Sequence, residues 1–311
     1  MSANDSAADA AMDRLVRTTP SMDTSVAAAL LREAKEVFDE HAVVFFLRQG
    51  TCLGAVRDNA LIPWDDDIDI GSIEGLHGFD ERVIEPVADS FMARGFHVRR
   101  SSFGDREIWL ALMKHNIRID WVCFRVRKQH IVHFPGVRIP VRLFTDLKEI
   151  DFIGEKFLVP NPPEEYLRHK YGPNWMTPNR LGYAKDVVDN IPDGPMPGHP
   201  GRLTQLLITR LFPRRTARLR VLDEGGAPTP GAEVTVVGWG RYETNREGYA
   251  RFYLPANDVY ALMVRNEGRE EVLYEEQLAP GKTYVYRPDP AMSSGRIFVL
   301  TEEYDRSQAV G

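Results

Sequence analysis

The chain has 311 residues and a formal net charge of −6, with 43% hydrophobic and 27% charged residues. This composition is typical of a globular protein with one to three domains, and the negative charge gives no reason to expect nucleic acid as a partner. The two cysteines, Cys52 and Cys123, lie in apolar surroundings without CxxC spacing, which argues against a disulfide framework and a cysteine zinc site. No signal peptide and no run of about 18 apolar residues is evident, so we expect a cytoplasmic protein without a membrane span.

Helix and strand patterns follow each other through the first 170 residues. Residues 1–20 are small and polar and are predicted to form a flexible tail. Apolar spacing then predicts a helix from Thr24 to His41, and "VVFFL" predicts a buried strand. A short helix in "TCLGAVR", a strand in "DDIDIGS" and a helix around residues 80–94 come next. Three further strands are predicted in "EIWLALMK", "IRIDWVCF" and "VRIPVRLF", and a helix in "PPEEYLRHKYG", from Pro163 to its end at Gly172.

The sequence pattern changes in the second half. Residues 174–201 are rich in proline and glycine and are predicted to form an extended loop. From residue 217 to 311, short alternating runs separated by turns predict a small all-β sandwich or barrel. We therefore expect a catalytic domain at 21–205, a basic linker at 206–216 and a β domain at 217–311. This segment could be a solvated linker that joins the two domains. Alternatively, its arginines could bind an anionic lipid surface or polymer: Arg210, Arg214, Arg215, Arg218 and Arg220.

The strand "DDIDIGS" carries an unusual concentration of like charge. Side chains alternate along a strand, so Ile68 and Ile70 are predicted to point into the core while Asp67 and Asp69 point to the opposite face, about 7 Å apart at their Cα atoms. A divalent cation such as Mg²⁺ or Mn²⁺ would relieve the repulsion, because carboxylates are suitable hard ligands for these ions. On this argument Asp→Asn substitutions should stabilise the metal-free protein. The alternative is a solvated acidic turn.

Two other features are expected to meet this strand. Gly50 and Thr51 lie at a strand-to-helix turn, where backbone N–H groups and a hydroxyl can hold a phosphate. Arg118 and Asp120 alternate with Ile117 and Ile119 in "IRIDWVCF", so Asp120 is predicted to leave the core on the polar face of its strand. It could complete a metal site with the other aspartates and act as a general base, or it could be an isolated edge charge.

The order of these motifs resembles the polymerase-β type of nucleotidyltransferase fold, a mixed α/β (α+β) sheet with flanking helices. The string "GTCLGAVRDNALIPWDDDIDI" is similar to the signature of the LicD family, which includes bacterial phosphocholine transferases and the animal fukutin and fukutin-related proteins. The resemblance continues in "IRIDWVCF" and "YLRHKYGPNWMTPNR" and covers about residues 30–180. The cysteine cluster that gives fukutin-related protein a zinc-bearing insert has no counterpart in this chain.

The resemblance assigns roles to individual residues. It implies that Gly50 and Thr51 contact the donor phosphates, and that Asp67, Asp69 and Asp120 are the catalytic and metal-binding acids. Arg57 is expected to face a phosphate or to form a salt bridge with the aspartate cluster. A further group is expected either to line an acceptor or nucleotide groove or to be the packed end of a helix: Lys170, Tyr171 and Trp175.

The resemblance also implies a reaction. A metal-dependent transferase would move a phospho-alcohol, such as phosphocholine or ribitol phosphate, from a CDP-linked donor to a hydroxyl of a glycan or lipid-linked glycan, with release of CMP. Such a reaction belongs to cell-surface polysaccharide biosynthesis, at the inner face of the membrane if the basic linker binds lipid. The alternatives are transfer of a nucleotide from an NTP with release of pyrophosphate, and an inactive protein that binds polysaccharide.

The C-terminal part resembles a different family. The segment "GGAPTPGAEVTVVGWGRYETNREGYARFYLP" is similar to the carboxypeptidase regulatory-like or transthyretin-like β-sandwich. It contains no catalytic constellation, so the resemblance implies an interaction or positioning module.

Overall fold

A computed structural model describes residues 3–103, 107–180, 182–192, 194–196, 200–290 and 296–303. The chain forms two compact units, the first from Met1–His133 with Arg138–Pro178 and the second from Phe134–Val137 with Asn179–Gly311. Residues 179–205, which the sequence pattern assigned to the catalytic domain, therefore group with the second unit. In the part of the chain that the structure describes, no helix has the length and apolar character needed to cross a membrane.

The first helix, α1 (Ala3–Thr18), occupies residues for which the sequence pattern predicted a flexible tail. Its small apolar residues recur at helical spacing, and Met12 is fully buried against Ala111 and Met113. Asp9 accepts a hydrogen bond from His97 at 2.9 Å. Met12 is joined on this face by the partly buried Ala8, Ala11 and Leu15, a pattern that the small, polar composition of the segment did not reveal.

The first unit is built on a five-stranded mixed sheet. Its strands are β1 (Phe46–Leu47), β2 (Asp67–Ile73), β3 (His97–Phe103), β4 (Glu107–Lys114) and β5 (Ile117–Phe124), in the order β1-β2-β5-β4-β3. Strands β2 and β5 are parallel and the other neighbours are antiparallel. The helices of this part are α2 (Thr24–Glu40), α3 (Gln49–Arg57) and α4 (Ile84–Ala93). The mixed α/β architecture predicted for this half is thus observed.

The core of this unit lies where α2 packs on the sheet. The Asp23 carboxylate accepts the backbone N–H groups of Ser25 and Val26 and so caps the helix. The Phe38 ring lies 4.8 Å from the Trp121 ring, centroid to centroid, and both side chains are fully buried. Ile68 and Ile70 are also fully buried. Since alternate β2 side chains fill the core, the intervening aspartates must leave on the other face.

Two small sheets and one helix complete the first half of the chain. Strands β6 (His130–His133) and β7 (Val137–Pro140) pair, as do β8 (Lys148–Phe152) and β9 (Glu155–Val159). Residues 141–144, predicted to continue a strand, form a 3-10 turn. Helix α5 (Pro163–Tyr171) begins with Pro163 and ends before Gly172, whose φ is +81°. These ends confirm the predicted helix.

The second unit contains two sheets and two helices. Helices α6 (Tyr183–Asp189) and α7 (Arg202–Leu211) replace much of the predicted loop and linker. The strands are β10 (Thr216–Val221), β11 (Glu233–Val236), β12 (Gly240–Glu243), β13 (Tyr249–Tyr253), β14 (Asp258–Asn266), β15 (Arg269–Leu278), β16 (Thr283–Tyr286), β17 (Arg296–Ile297) and β18 (Thr301–Glu302). One sheet has the order β13-β10-β16-β18 and the other β12-β11-β14-β15-β17. Both contribute to one hydrophobic core, for example through Leu219, Phe252, Leu262 and Leu273.

Candidate active site

The parallel pairing of β2 with β5 places the predicted acids side by side. Asp69 lies opposite Asp120 in the register, and Asp67 lies opposite Arg118. Since alternate residues of paired strands share a face, these four side chains leave the sheet on one side. The structure therefore brings together the three acids that the sequence pattern singled out, and adds an arginine among them.

Asp69 holds the start of α3 against β2. Its carboxylate accepts hydrogen bonds from the backbone N–H of Gly50 at 3.2 Å and from the Gln49 amide at 3.0 Å. The Asp69 backbone N–H donates to the Thr51 hydroxyl at 2.8 Å. Thr51 is only 1% exposed. The two residues expected to bind donor phosphate thus orient Asp69, and the positive end of the α3 dipole lies beside a carboxylate.

Arg48 is the principal charged partner of Asp69. Its guanidinium lies 2.8 Å from the Asp69 carboxylate and donates to the backbone oxygens of Ile70 at 2.9 Å and Asp120 at 3.4 Å. Arg48 is only 4% exposed. A buried guanidinium with three acceptors rigidly links the end of β1 to β2 and β5.

Arg118 lies between the remaining acids. It donates a hydrogen bond to the Asp67 carboxylate and one to the Asp66 carboxylate at 3.4 Å. Its Nε is 3.2 Å from Oδ1 of Asp120, in an ion pair without hydrogen-bond geometry. Sequence analysis placed Arg118 on the polar face of its strand without a role. Its two-residue spacing from Asp120 was the sequence signal that could have indicated this role, because alternate residues of a strand share a face.

The charges of the site do not balance. Five carboxylates (Asp65, Asp66, Asp67, Asp69 and Asp120) share the region with Arg48, Arg118 and Lys170, so two negative charges remain when all are ionised. Burial raises the pKa of the Asp65, Asp69 and Asp120 carboxyl groups, and the neighbouring carboxylates raise these pKa values further. Arg48 opposes this increase at Asp69, and Arg118 opposes it at Asp120. An added cation would lower the cost of ionising the cluster.

The carboxylates of Asp65, Asp66 and Asp67 are close enough together to hold a divalent cation. Each of these three carboxylates contributes one oxygen atom, and the three oxygen atoms lie within 4.8 Å of one another. The Oδ2 atom of Asp65 is buried and has no hydrogen-bond partner among the described residues. Carboxylate oxygens are the ligands that Mg²⁺ and Mn²⁺ prefer. Asp67 is common to this cluster and to the predicted metal set. Because Arg118 already pairs with Asp66 and Asp67, a cation at this cluster would share these carboxylates with the guanidinium.

Gly50 is required by the close approach of Asp65. A Cβ atom at position 50 would lie 2.2 Å from Oδ2 of Asp65, far inside van der Waals contact. The glycine therefore allows the buried Asp65 carboxylate to reach the start of α3. This is a steric role in addition to the predicted contact with phosphate.

Of the other predicted site residues, Lys170 lies near the carboxylate cluster, whereas Arg57 pairs with a residue outside it. Arg57 forms its salt bridge with Asp58 at 2.7 Å rather than with the aspartate cluster. Lys170 is 1% exposed, and its charge lowers the pKa of the Asp69 carboxyl group. Trp175 is 7% exposed, as expected for a packed helix end, and Tyr171 is half-buried.

Tyr166 and His133 lie next to the start of α3 and support the site through hydrogen bonds. The sequence pattern did not assign them to it. The Tyr166 hydroxyl accepts the backbone N–H of Gln49 at 2.9 Å and lies 3.5 Å from Nδ1 of His133. The His133 ring stacks on Phe124 with a centroid distance of 4.7 Å. Burial, aided by Lys170 and Arg48, lowers the pKa of His133 well below its usual range. Nothing local in the sequence indicates these contacts, which join residues 33 and 117 positions apart.

Comparison with known proteins gives the class of this domain. Residues 42–162 match the family model described as LicD/FKTN/FKRP, nucleotidyltransferase domain. The matched segment contains α3, β2 and β5, and thus every aspartate and arginine of the cluster. A LicD/FKTN/FKRP domain is therefore present at these residues.

Curated relatives agree with this match. Ribitol-5-phosphate transferase FKTN of Mus musculus is 25% identical over 181 residues, covering 55% of this chain and 38% of that protein. Ribitol 5-phosphate transferase FKRP of Mus musculus is 27% identical over 144 residues, 44% of this chain and 29% of that protein. The uncharacterized protein RT0683 of Rickettsia typhi is 25% identical over 155 residues, covering 47% and 45% of the two chains. The chain thus spans less than half the length of these relatives.

Proposed function

We propose that this protein is a metal-dependent transferase that moves a phospho-alcohol from a CDP-linked donor to a hydroxyl of a glycan or lipid-linked glycan, with release of CMP. The observation that carries the proposal is the cluster of five carboxylates at the start of β2 and on the adjacent face of β2 and β5, with its excess of two negative charges. It lies in the segment that matches the LicD/FKTN/FKRP domain. The names of two relatives, which are ribitol-5-phosphate transferases, support the reaction class.

The architecture is consistent with this proposal. We interpret the sheet β1-β2-β5-β4-β3 and its helices as a nucleotidyltransferase fold, because the acids lie on adjacent strands beside a strand-to-helix turn. We interpret the two sheets of the second unit as a carboxypeptidase regulatory-like sandwich that positions the enzyme or its acceptor. A cytoplasmic location stays a prediction.

Asp65, Asp66 and Asp67 would hold Mg²⁺ or Mn²⁺, with the negative charge of the cluster as the attraction. The ion would neutralise negative charge on the donor pyrophosphate and on the leaving CMP. The chain itself contributes the positive end of the α3 dipole and the buried cations Arg48 and Lys170, which favour an anionic donor. Asp69 keeps the start of α3 in place.

Asp120 is the candidate general base of the transfer. Burial raises the pKa of its carboxyl group and Arg118 lowers it, so the carboxylate is a stronger base than an exposed aspartate while still paired with a cation. A base of this kind can accept the proton of an acceptor hydroxyl as that oxygen attacks phosphorus. The reaction then forms a phosphodiester on the acceptor and breaks the bond to the CMP oxygen.

The test is product analysis with a panel of CDP-ribitol, CDP-choline and CDP-glycerol in the presence of Mg²⁺ or Mn²⁺, with and without glycan acceptors. We expect CMP as the nucleotide product, identified by mass. Asp67→Asn should abolish its formation, whereas Asp89→Asn, which changes an exposed carboxylate on α4, should not.

Four outcomes would contradict the proposal. Release of CDP would indicate attack at carbon rather than phosphorus, and equal use of UDP- and ADP-linked donors would remove the base preference. Release of pyrophosphate from an NTP would favour nucleotidyl transfer. Absence of turnover together with polysaccharide binding would favour the inactive binding protein.

A further inference from the structure

Helix α7 has an apolar face that the described residues of the protein leave exposed. Leu203, Leu207 and Leu211 are 80%, 59% and 64% exposed, and Phe212, directly after the helix, is 55% exposed. The leucines are spaced by four residues, so they form one stripe about 12 Å long. We call these four residues the α7 apolar face. Monomeric globular proteins seldom leave such a continuous row of large apolar side chains in water.

The opposite side of α7 is anchored, so the apolar face cannot turn inward. Gln205 is 3% exposed, and its side-chain amide donates to the backbone oxygens of Trp239 and Pro200, both at 2.9 Å. Its side-chain oxygen accepts the Tyr242 hydroxyl at 2.8 Å. Ile208 packs against the hydrophobic core of the second unit. The helix is thus amphipathic, with a polar anchor and one apolar core contact beneath it and leucines above.

Three exposed arginines lie in α7 or directly after the α7 apolar face. Arg210, Arg214 and Arg215 are exposed, and residues 200–216 contain no aspartate or glutamate. Within the described residues, no acidic side chain forms an ion pair with these three arginines. A helix of 100° per residue places Arg210 about 20° from Leu203, beside the leucine stripe. The chain as a whole has a net charge of −6, so this local excess of positive charge contrasts with the rest of the molecule.

We propose that the α7 apolar face binds the surface of an anionic lipid bilayer. An interfacial helix lies in the plane of the membrane with its leucines among the acyl chains and its arginines at the level of the headgroups. The pattern here has both elements, since the leucines supply apolar area and the arginines supply charge of the sign that anionic lipids attract. A second copy of the chain fits less well, because a two-fold contact through this face would bring the arginine clusters together. The inference is independent of the transfer reaction.

The experiment is co-sedimentation of the full chain with vesicles of phosphatidylcholine alone and of phosphatidylcholine mixed with phosphatidylglycerol. We expect binding to the anionic vesicles at least tenfold tighter than to the neutral ones, weakening as salt is raised. Leu207→Glu should weaken anionic binding at least tenfold. The triple change Arg210→Ala, Arg214→Ala, Arg215→Ala should weaken it similarly and remove most of the salt dependence.

Matched controls separate this surface from general effects of charge. Met92→Glu places a carboxylate on another exposed apolar residue, 51% exposed on α4, and should leave vesicle binding unchanged. Arg246→Ala with Arg251→Ala removes exposed arginines elsewhere and should also have little effect. Sedimentation velocity of each variant reports self-association, and circular dichroism confirms folding.

Equal binding to both kinds of vesicle, or unchanged binding after Leu207→Glu, would overturn the proposal. A dimer that Leu207→Glu dissociates, without binding to vesicles, would assign the α7 apolar face to a second copy instead. Because no step measures turnover, these outcomes are separate from those that test the transferase.

Discussion

Asp69 and Asp120 lie at the same register position of two adjacent parallel strands, yet each is paired with a different arginine. Arg48 reaches Asp69 from the end of β1, and Arg118 reaches Asp120 from two residues earlier on its own strand. Two acids that appear equivalent from spacing alone therefore have different surroundings. The predictions below follow from this difference and from the contacts around it.

Asp69→Asn should destabilise the metal-free protein by about 3 kcal/mol, because it leaves the buried Arg48 without its carboxylate. Asp67→Asn should cost about 1 kcal/mol or less, since Arg118 keeps Asp66 and Asp120 as partners. Denaturant unfolding in EDTA measures both. The like-charge argument from sequence predicts stabilisation in both cases. If Asp69→Asn were as stable as the wild type or more stable, charge repulsion would outweigh the ion pair of Asp69 with Arg48.

Arg118→Met should make the protein more dependent on a divalent cation. The change removes the guanidinium shared by Asp66, Asp67 and Asp120 and leaves their repulsion unopposed. In EDTA the thermal midpoint should fall, and Mg²⁺ should raise it by more than in the wild type. Arg82→Met, at a surface arginine with a 90% exposed side chain, is the control and should leave both midpoints unchanged. If Mg²⁺ shifts Arg118→Met and wild type equally, the arginine does not share its position with a cation site.

Gly50→Ala should abolish Mg²⁺-induced stabilisation and turnover. The new methyl group would lie 2.2 Å from Oδ2 of Asp65, so either that carboxylate or the start of α3 must move. Adding Asp65→Ala should restore the thermal midpoint in EDTA without restoring the response to Mg²⁺. Gly201→Ala, at a glycine with φ −63° and no described atom within 4 Å of the added Cβ, is the control. A normal Mg²⁺ response in Gly50→Ala would show that Asp65 is not a ligand.

Glu276 should make the second unit less stable as the pH rises from about 4.5 to about 7. Burial raises the pKa of its carboxyl group from 4.5 to about 7, although the backbone N–H groups of Val299 and Leu300 donate to it and oppose the increase. The folded state therefore binds a proton that the unfolded state releases, and the contribution is fully present below pH 4.5. It declines up to the folded pKa, by about 3 kcal/mol in total.

The comparison of wild type with Glu276→Gln across this pH range isolates that contribution. The unfolding free energy of the wild type should fall relative to that of Glu276→Gln as the pH rises, because the glutamine side chain stays neutral whereas the glutamate ionises. Amide hydrogen exchange at residues 299 and 300 gives a local readout of the same effect. A pH-independent difference would mean that Glu276 ionises normally in the folded protein.

The sequence by itself determined which face of each strand carries the charges. Alternation along "DDIDI" and "IRID" is a local property of a strand, so it placed Asp67, Asp69 and Asp120 on polar faces before any contact was known. The same kind of local signal predicted the ends of α5 at Pro163 and Gly172 and the all-β character of the residues after 216. These features depend on neighbours only a few residues away.

Tertiary structure alone decided which groups meet. Arg48 and Asp69 are 21 positions apart, and Tyr166 is 117 positions from the Gln49 that it supports. Arg118 is 51 and 52 positions from Asp67 and Asp66. Helix α7 shows the same limit, since its composition predicted only a basic linker. Its leucines became an exposed stripe because Gln205 and Ile208 fill the sites beneath the helix. These contacts depend on the register and packing of segments that are distant in the sequence, and local sequence patterns carry no information about them.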